Sequence, residues 1–211
     1  MKTESLQLLT PLGYLFFNCR TLNKSLLGIQ PDKFIKKNSS TISYWKFDDC
    51  VIEFKCFYLV PKLPPEMAVD ECICGIWNVR ALKEQEIAFD AYLDSKEQLS
   101  IWAEPGEGVI AQSFSKNQHK ISIGTEDEEY LRQRATVQKG LPQHFMHEIN
   151  ASAIHYLPNG ISVTLPKLSK NEEVQVQFLV AWTSNATQGI STWYAVDQPF
   201  DRIMEQSRIS R

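Results

Sequence analysis

Three histidines and a glutamate fall close together late in the chain: His144, His147, Glu148 and, a little further on, His155. Imidazole and carboxylate groups are common ligands of zinc, and a zinc held by three of them activates water for hydrolase or lyase chemistry. The helical form of such a site needs His at i and i+4 with a Glu between them as base. Here the first two histidines are spaced i, i+3 and the Glu follows them. Any metal centre of His144, His147 and His155 is therefore one that a loop must assemble. The competing expectation is two loop histidines and one strand histidine with no common ligand.

Aromatic residues form the second candidate. Tyr44, Trp77, Tyr92 and Trp102 fall on the faces opposite the best apolar rows of their strands. A sheet whose second face carries aromatic rings must cover that face or use it. These four residues are the candidate ligand-binding set, for a small apolar ligand or a protein partner.

Other chemistry is weaker. Gly106-x-Gly108-x-x-Ala111 matches the loosest dinucleotide fingerprint, but the residues after it are short and β-like where a helix N-terminus should meet the pyrophosphate. A hairpin turn explains both glycines. There is no G-x-S-x-G elbow and no phosphate-binding P-loop. The acidic groups Asp48-Asp49, Asp70-Glu71 and 126–129 fall in a turn, beside a strand and at a helix start, and none stands out as a general acid–base couple. Lys33, Lys36 and Lys37 make a small basic cluster that reads as a solvated face. No cofactor is called for.

The cysteines are Cys19, Cys50, Cys56, Cys72 and Cys74. Cys50 and Cys56 share a face of one strand, about 20 Å apart at ~3.3 Å per residue, so they do not bond to each other. Cys72-x-Cys74 lacks the CxxC spacing of a zinc knuckle. Buried, reduced thiols are the expectation, and an odd count fits a reducing compartment. The apolar run 6–17 resembles a signal peptide only loosely: Glu4 precedes it, Thr10-Pro11 interrupts it and no small-residue cleavage site follows. A cytoplasmic protein is expected, in which the Asn-x-Ser/Thr sequons at Asn23, Asn38, Asn150 and Asn185 are incidental. A net charge of −3 with a pI of about 5.8 gives no pull towards nucleic acid or an anionic membrane. No window approaches the ~20 apolar residues of a membrane-spanning helix.

The elements that must position these residues are mostly strands. In 174–182, Val174, Val176, Phe178, Val180 and Trp182 alternate with Gln175, Gln177, Leu179 and Ala181. The stretch 153–196 around it is expected to be sheet, with Pro158-Asn-Gly160 as a hairpin turn. Runs at 43–47 and 50–60, separated by Asp48-Asp49, form another hairpin. Further strands are expected at 71–79, 86–93, 99–103, 108–114 and 120–123. One principal helix is expected at 126–139, capped by Thr125 with Glu128 in a capping box and ended by Gly140 and Pro142. A short helix follows at 199–207. Residues 1–40 are the least legible, with one helical turn at 31–37.

These elements imply a mainly β protein: an antiparallel sandwich or barrel of about ten strands with the one helix, or alternatively an α+β open sheet. The chain of 211 residues suits a single β-rich domain, 1–211, with a sub-boundary near 61–66 or 140 as the alternative. The function expected is non-enzymatic binding of a protein partner or small apolar ligand through an aromatic-lined face. The alternative is a metal-assisted hydrolase or lyase using His144, His147 and Glu148, and a homo-oligomer paired through an edge strand is the assembly reading.

Overall fold

The alternating run near the C-terminus is a long strand, β14 (Glu173–Thr183), and it sits in the middle of the larger of two sheets. The computed structural model describes residues 6–21, 24–37 and 39–209. Asn23 and Asn38, and Glu4 ahead of the N-terminal run, lie outside the described residues. On one side of β14 lies a meander of β4 (Lys33–Lys36), β5 (Ser40–Lys46), β6 (Cys50–Tyr58) and β7 (Glu71–Ala81). On the other lies a meander of β9 (Ser100–Gly106), β10 (Val109–Lys116) and β11 (His119–Glu126). β14 pairs antiparallel with both β7 and β11, closing an eight-stranded sheet.

A six-stranded sheet packs across it. Its strands are β1 (Gln7–Thr10), β2 (Gly13–Thr21), β3 (Lys24–Ser25), β8 (Ile87–Asp94), β12 (Ile154–Leu157) and β13 (Gly160–Thr164). The protein is thus a mainly β sandwich of two antiparallel sheets, and neither the closed barrel nor the single open sheet forms. The residues 61–66 form the connector expected from their prolines, and the strands before and after it, β6 and β7, lie side by side.

Alternation decides which side chains go inward. Val174, Val176, Phe178, Val180 and Trp182 of β14 meet Leu15, Phe17, Phe89, Ala91 and Leu93 in one buried cluster between the sheets. The opposite side of β14, with Leu179 and Ala181, joins Cys72, Cys74 and Ile76 of β7 in a second cluster on the outside of the eight-stranded sheet. Two helices cover that outside: α3 (Ser191–Val196), through Ala195 and Val196, and α4 (Phe200–Ile209), through Ile203.

α3 corrects the expectation of sheet throughout 153–196. Ser191, Thr192, Ala195 and Val196 are buried, the i, i+1, i+4, i+5 spacing of a helix face. That face lies on β14 and β11, where Gly124 leaves room: a Cβ there would come within 2.8 Å of Val196. The residues 31–37 are likewise not a helical turn, since 33–36 pair with β5 as an edge strand. The helix expected at 126–139 is shorter, α1 (Glu128–Thr136), because β11 runs on through Glu126. Thr125 therefore spends its hydroxyl on Gln177 O, and Asp127 caps the helix by accepting from Tyr130 N. A single-turn helix, α2 (Phe145–Glu148), follows, and Leu131, Ala135, Leu141 and Phe145 of this segment join the intersheet core.

Candidate functional site

The four aromatic candidates occupy four different places. Trp77 is fully buried between the sheets, its ring 4.3 Å from that of Phe54 and 6.2 Å from that of Phe89. Strand β7 is central and buried on both faces, so Cys72, Cys74, Ile76 and Ile73, Trp77, Val79 are two apolar rows, and sequence alternation does not say which faces outward. Tyr92 lies on the outside of the six-stranded sheet, stacked on Phe16 at 5.3 Å. Trp102 lies on the edge strand β9, donating from Nε1 to Glu104 at 2.7 Å with Lys120 Nζ above its ring. Tyr44 lines a groove on the outside of the eight-stranded sheet.

The histidines do not assemble. His144 sits at the start of α2, with Glu172 at 3.4 Å and Glu148 at 3.9 Å. His147 is exposed on α2, and His155 is exposed on β12 opposite Ser162. Among the described residues no group of three or more His, Cys, Asp or Glu side chains is placed to hold a metal ion. The expected His144, His147, His155 centre does not form among the described residues, with His144 and His147 at α2 and His155 on the edge strand β12.

The sandwich instead opens into an apolar pocket at one end. It encloses about 240 Å³ and draws its walls from both sheets: Leu8 and Phe17 on one, Phe54, Cys56 and Ile73 on the other. Phe57 and Tyr58 close the end of β6, and Lys36, Lys37 and Ser39 stand at the rim. Burial pushes the Cys56 thiol up to about 12, so it stays neutral and adds to the apolar wall. Lys36 and Lys37 are exposed and make no ion pair among the described residues. Sequence reading missed this pocket because its walls come from strands that are neighbours across the sandwich, not along the chain. The one signal present was the basic cluster that includes Lys36 and Lys37.

Two polar networks stand on the sheets. On the outside of the six-stranded sheet, Asp90 accepts from Arg20 Nε (2.6 Å) and Nη2 (2.8 Å), Ser162 Oγ (2.7 Å) and Asn18 Nδ2 (3.3 Å). Asn18, Asp90 and Ser162 are direct cross-strand neighbours, so the network is a rung of the sheet. On the other sheet, Arg134 of α1 donates to Glu126, Gln177 Oε1, Gln175 O and Lys139 O and lies on the Phe200 ring. In each network the carboxylate, Asp90 or Glu126, is paired with an arginine of the same network.

No protein-family model and no curated protein sequence matches the chain. Solved structures do. A protein from the human microbiome described as a kojibiose phosphorylase superposes with a TM-score of 0.50 at 10% identity, over 92% of this chain and 27% of that one. A polysaccharide lyase gives a TM-score of 0.39 at 8% identity, over 84% of this chain and 26% of the other. The first likeness is one of fold: this β-sandwich resembles a domain of a carbohydrate-active enzyme. The chain spans about a quarter of the length of either structure.

Proposed function

We propose that this protein is a non-enzymatic binding sandwich that takes a small apolar ligand, carrying an anionic end, into the pocket between its sheets. The observation that carries the reading is the pocket itself: concave, aromatic-walled and mostly apolar, with Lys36, Lys37 and Ser39 exposed at its rim. That is the common form of a small-molecule site. Leu8, Phe17 and Phe54 supply the apolar contact, and Lys36 and Lys37 supply charge to a carboxylate that stays at the rim. At about 240 Å³ the pocket falls below the usual ~300–1,000 Å³ of drug-sized sites, so the ligand is a short chain or a single ring.

Calorimetric titration with octanoate and octanol tests the reading. Octanoate binds, octanol binds more weakly, and Leu8→Trp, which fills the pocket, removes both. Reversing the rim charge with Lys36→Glu and Lys37→Glu weakens octanoate and spares octanol. Failure of both probes at millimolar concentration, or indifference to Leu8→Trp, refutes it.

A protein partner is the second reading, favoured by the uncovered outside of the six-stranded sheet. Leu9 and Tyr14 are exposed there, 60% and 46%, beside the stacked Phe16 and Tyr92. Tyr14→Glu combined with Tyr92→Glu would abolish such an association and leave octanoate binding intact.

A further inference from the structure

The groove that holds Tyr44 is a different kind of place from the apolar pocket. Its floor is the outside of β5, β6, β7 and β14, and its walls are α4 and the turn at Lys139 and Gly140. It encloses about 610 Å³, within the ~300–1,000 Å³ of ordinary small-molecule sites. Across its floor runs one rung of the sheet. Tyr44 stands opposite Glu53, Glu53 opposite Asn78, and Asn78 opposite Gln175.

The rung is wired in one direction. Gln175 Nε2 donates to Asn78 Oδ1 at 2.8 Å, and Asn78 Nδ2 donates to Glu53 Oε1 at 2.8 Å. Each amide is thereby fixed in orientation. Beyond these two bonds the side chains carry a second N–H on each amide, the Gln175 Oε1 and the other oxygen of Glu53, a mixture of donors and acceptors among residues that line the groove. Ile42, Ile76, Phe200 and Met204 lie among these groups and offer apolar surface beside them. Planar polar side chains in a fixed array with apolar patches between them suit a ring that carries several hydroxyls.

The charges add a second requirement. Lys37, Lys55, Lys139 and Arg208 line the groove, against Glu53 and Asp201. Lys139 is held by Asp201 at 2.8 Å, and Lys55 donates to Ser207 O beneath α4. Arg208 and Lys37 make no ion pair among the described residues and stand at the rim as a positive remainder. We propose that this groove is a second ligand site, for a polyhydroxylated ring bearing an anionic group: an acidic sugar, whose anion is a uronate carboxylate or a sugar phosphate. The hydroxyls meet the Glu53, Asn78 and Gln175 rung, and the anion meets Arg208 and Lys37.

The test is titration of the whole protein, by calorimetry or amide chemical shifts, with glucuronate, glucose 1-phosphate, glucose and inorganic phosphate. Glucuronate or glucose 1-phosphate binds at least about tenfold tighter than glucose, the anion contributing one charge-assisted contact. The tighter of the two names the anion. Arg208→Ala, at an exposed position of α4, removes the preference for the acidic sugar without unfolding the protein. Asn78→Leu, which cuts the rung, weakens both acidic sugars and leaves octanoate binding in the intersheet pocket unchanged. Inorganic phosphate binding as tightly as glucose 1-phosphate would mean an ion site only and overturn the proposal. So would acidic sugars that bind no better than glucose, or binding that ignores both substitutions.

Discussion

Replacing the buried pair of Glu126 and Arg134 tests whether desolvation or attraction dominates beneath α1. Their side chains are only 7% and 5% exposed. Burial raises the Glu126 carboxyl above its usual range, against the pull of Arg134, and burial lowers Arg134 against the pull of Glu126. Both directions say that removing these ions from water costs more than their mutual attraction returns. Glu126→Ala leaves a guanidinium that cannot discharge at accessible pH, and losing one partner of a buried pair costs about 3–5 kcal/mol. Gln177 Oε1, Gln175 O, Lys139 O and the Phe200 ring at 3.7 Å remain, which places the expected loss near the lower limit, about 3 kcal/mol.

Arg134→Met behaves differently, because a carboxylate can take up a proton. With Arg134 gone, nothing opposes burial, and the folded-state carboxyl lies still further above its unfolded value. Its favourable share is then full below the ordinary carboxylate range and lost as pH rises through the raised value. The variant should be clearly weakened at neutral pH and recover towards pH 4. The double change Glu126→Leu with Arg134→Met should be neutral or stabilising, by up to about 4 kcal/mol. Urea unfolding followed by tryptophan fluorescence at neutral and acid pH measures all three, with an unchanged denaturant slope confirming like-for-like states. A loss below about 1 kcal/mol in Glu126→Ala, or a double variant as weak as the worse single one, would refute the reasoning.

Glu104 should show the opposite pH response. Burial works against its ion, but Lys120, Ser113 and Trp102 together hold the carboxyl below its usual range, so its stabilisation is present above that range and lost as pH falls through the lowered value. Glu104→Gln should therefore flatten the acid limb of the stability profile in circular dichroism melts. All five thiols are buried and raised, Cys50 to about 11 and Cys56 and Cys72 to about 12, so iodoacetamide near pH 8 should label the native protein at less than one site and the unfolded chain at five. Gly75→Ala would set a Cβ 2.9 Å from Phe17 and 3.0 Å from Phe54, and should cost about 1–3 kcal/mol, read as a fall in melting temperature. Gly108 has φ +84 with Tyr130 pressed on it, so Gly108→Ala should destabilise the β10 turn while leaving octanoate binding unchanged.

Period-two patterns carried most of the sandwich. The inward row of β14 and the split of Ile87, Phe89, Ala91 and Leu93 from Asp90 and Tyr92 are legible because one face of each strand is richer in large apolar groups. Legibility fails where both faces are buried. Trp77 belongs to such a strand, and its assignment to an outer face had no physical contrast to rest on. It fails again at 191–196, where β-branched and aromatic residues suit a strand but packing on Gly124 selects a helix. The histidine cluster was a matter of sequence proximity: His144 and His155 belong to separate elements, α2 and β12, and no metal-binding group forms from them among the described residues. The pocket and the groove each need side chains from several strands. Only Tyr44 of the groove, Lys36 of the pocket and Lys37, which lines both, could be singled out beforehand.

The place of β14 also sets the order in which the chain can become whole. Residues 33–81 and 100–126 each form a meander from local hairpins, but the strand that joins them is 173–183, made long after both. Until it arrives, β7 and β11 are both open edges, each with a full row of unpaired peptide groups and apolar inner residues. A chain emerging from the ribosome therefore carries two half-sheets that fit each other's absent neighbour as well as their own. Such late, long-range closure predicts slow folding and a window for mispairing between molecules. A chain truncated before 173 would keep both edges permanently, and would accumulate as pairs or aggregates of half-sheets in place of a smaller sandwich.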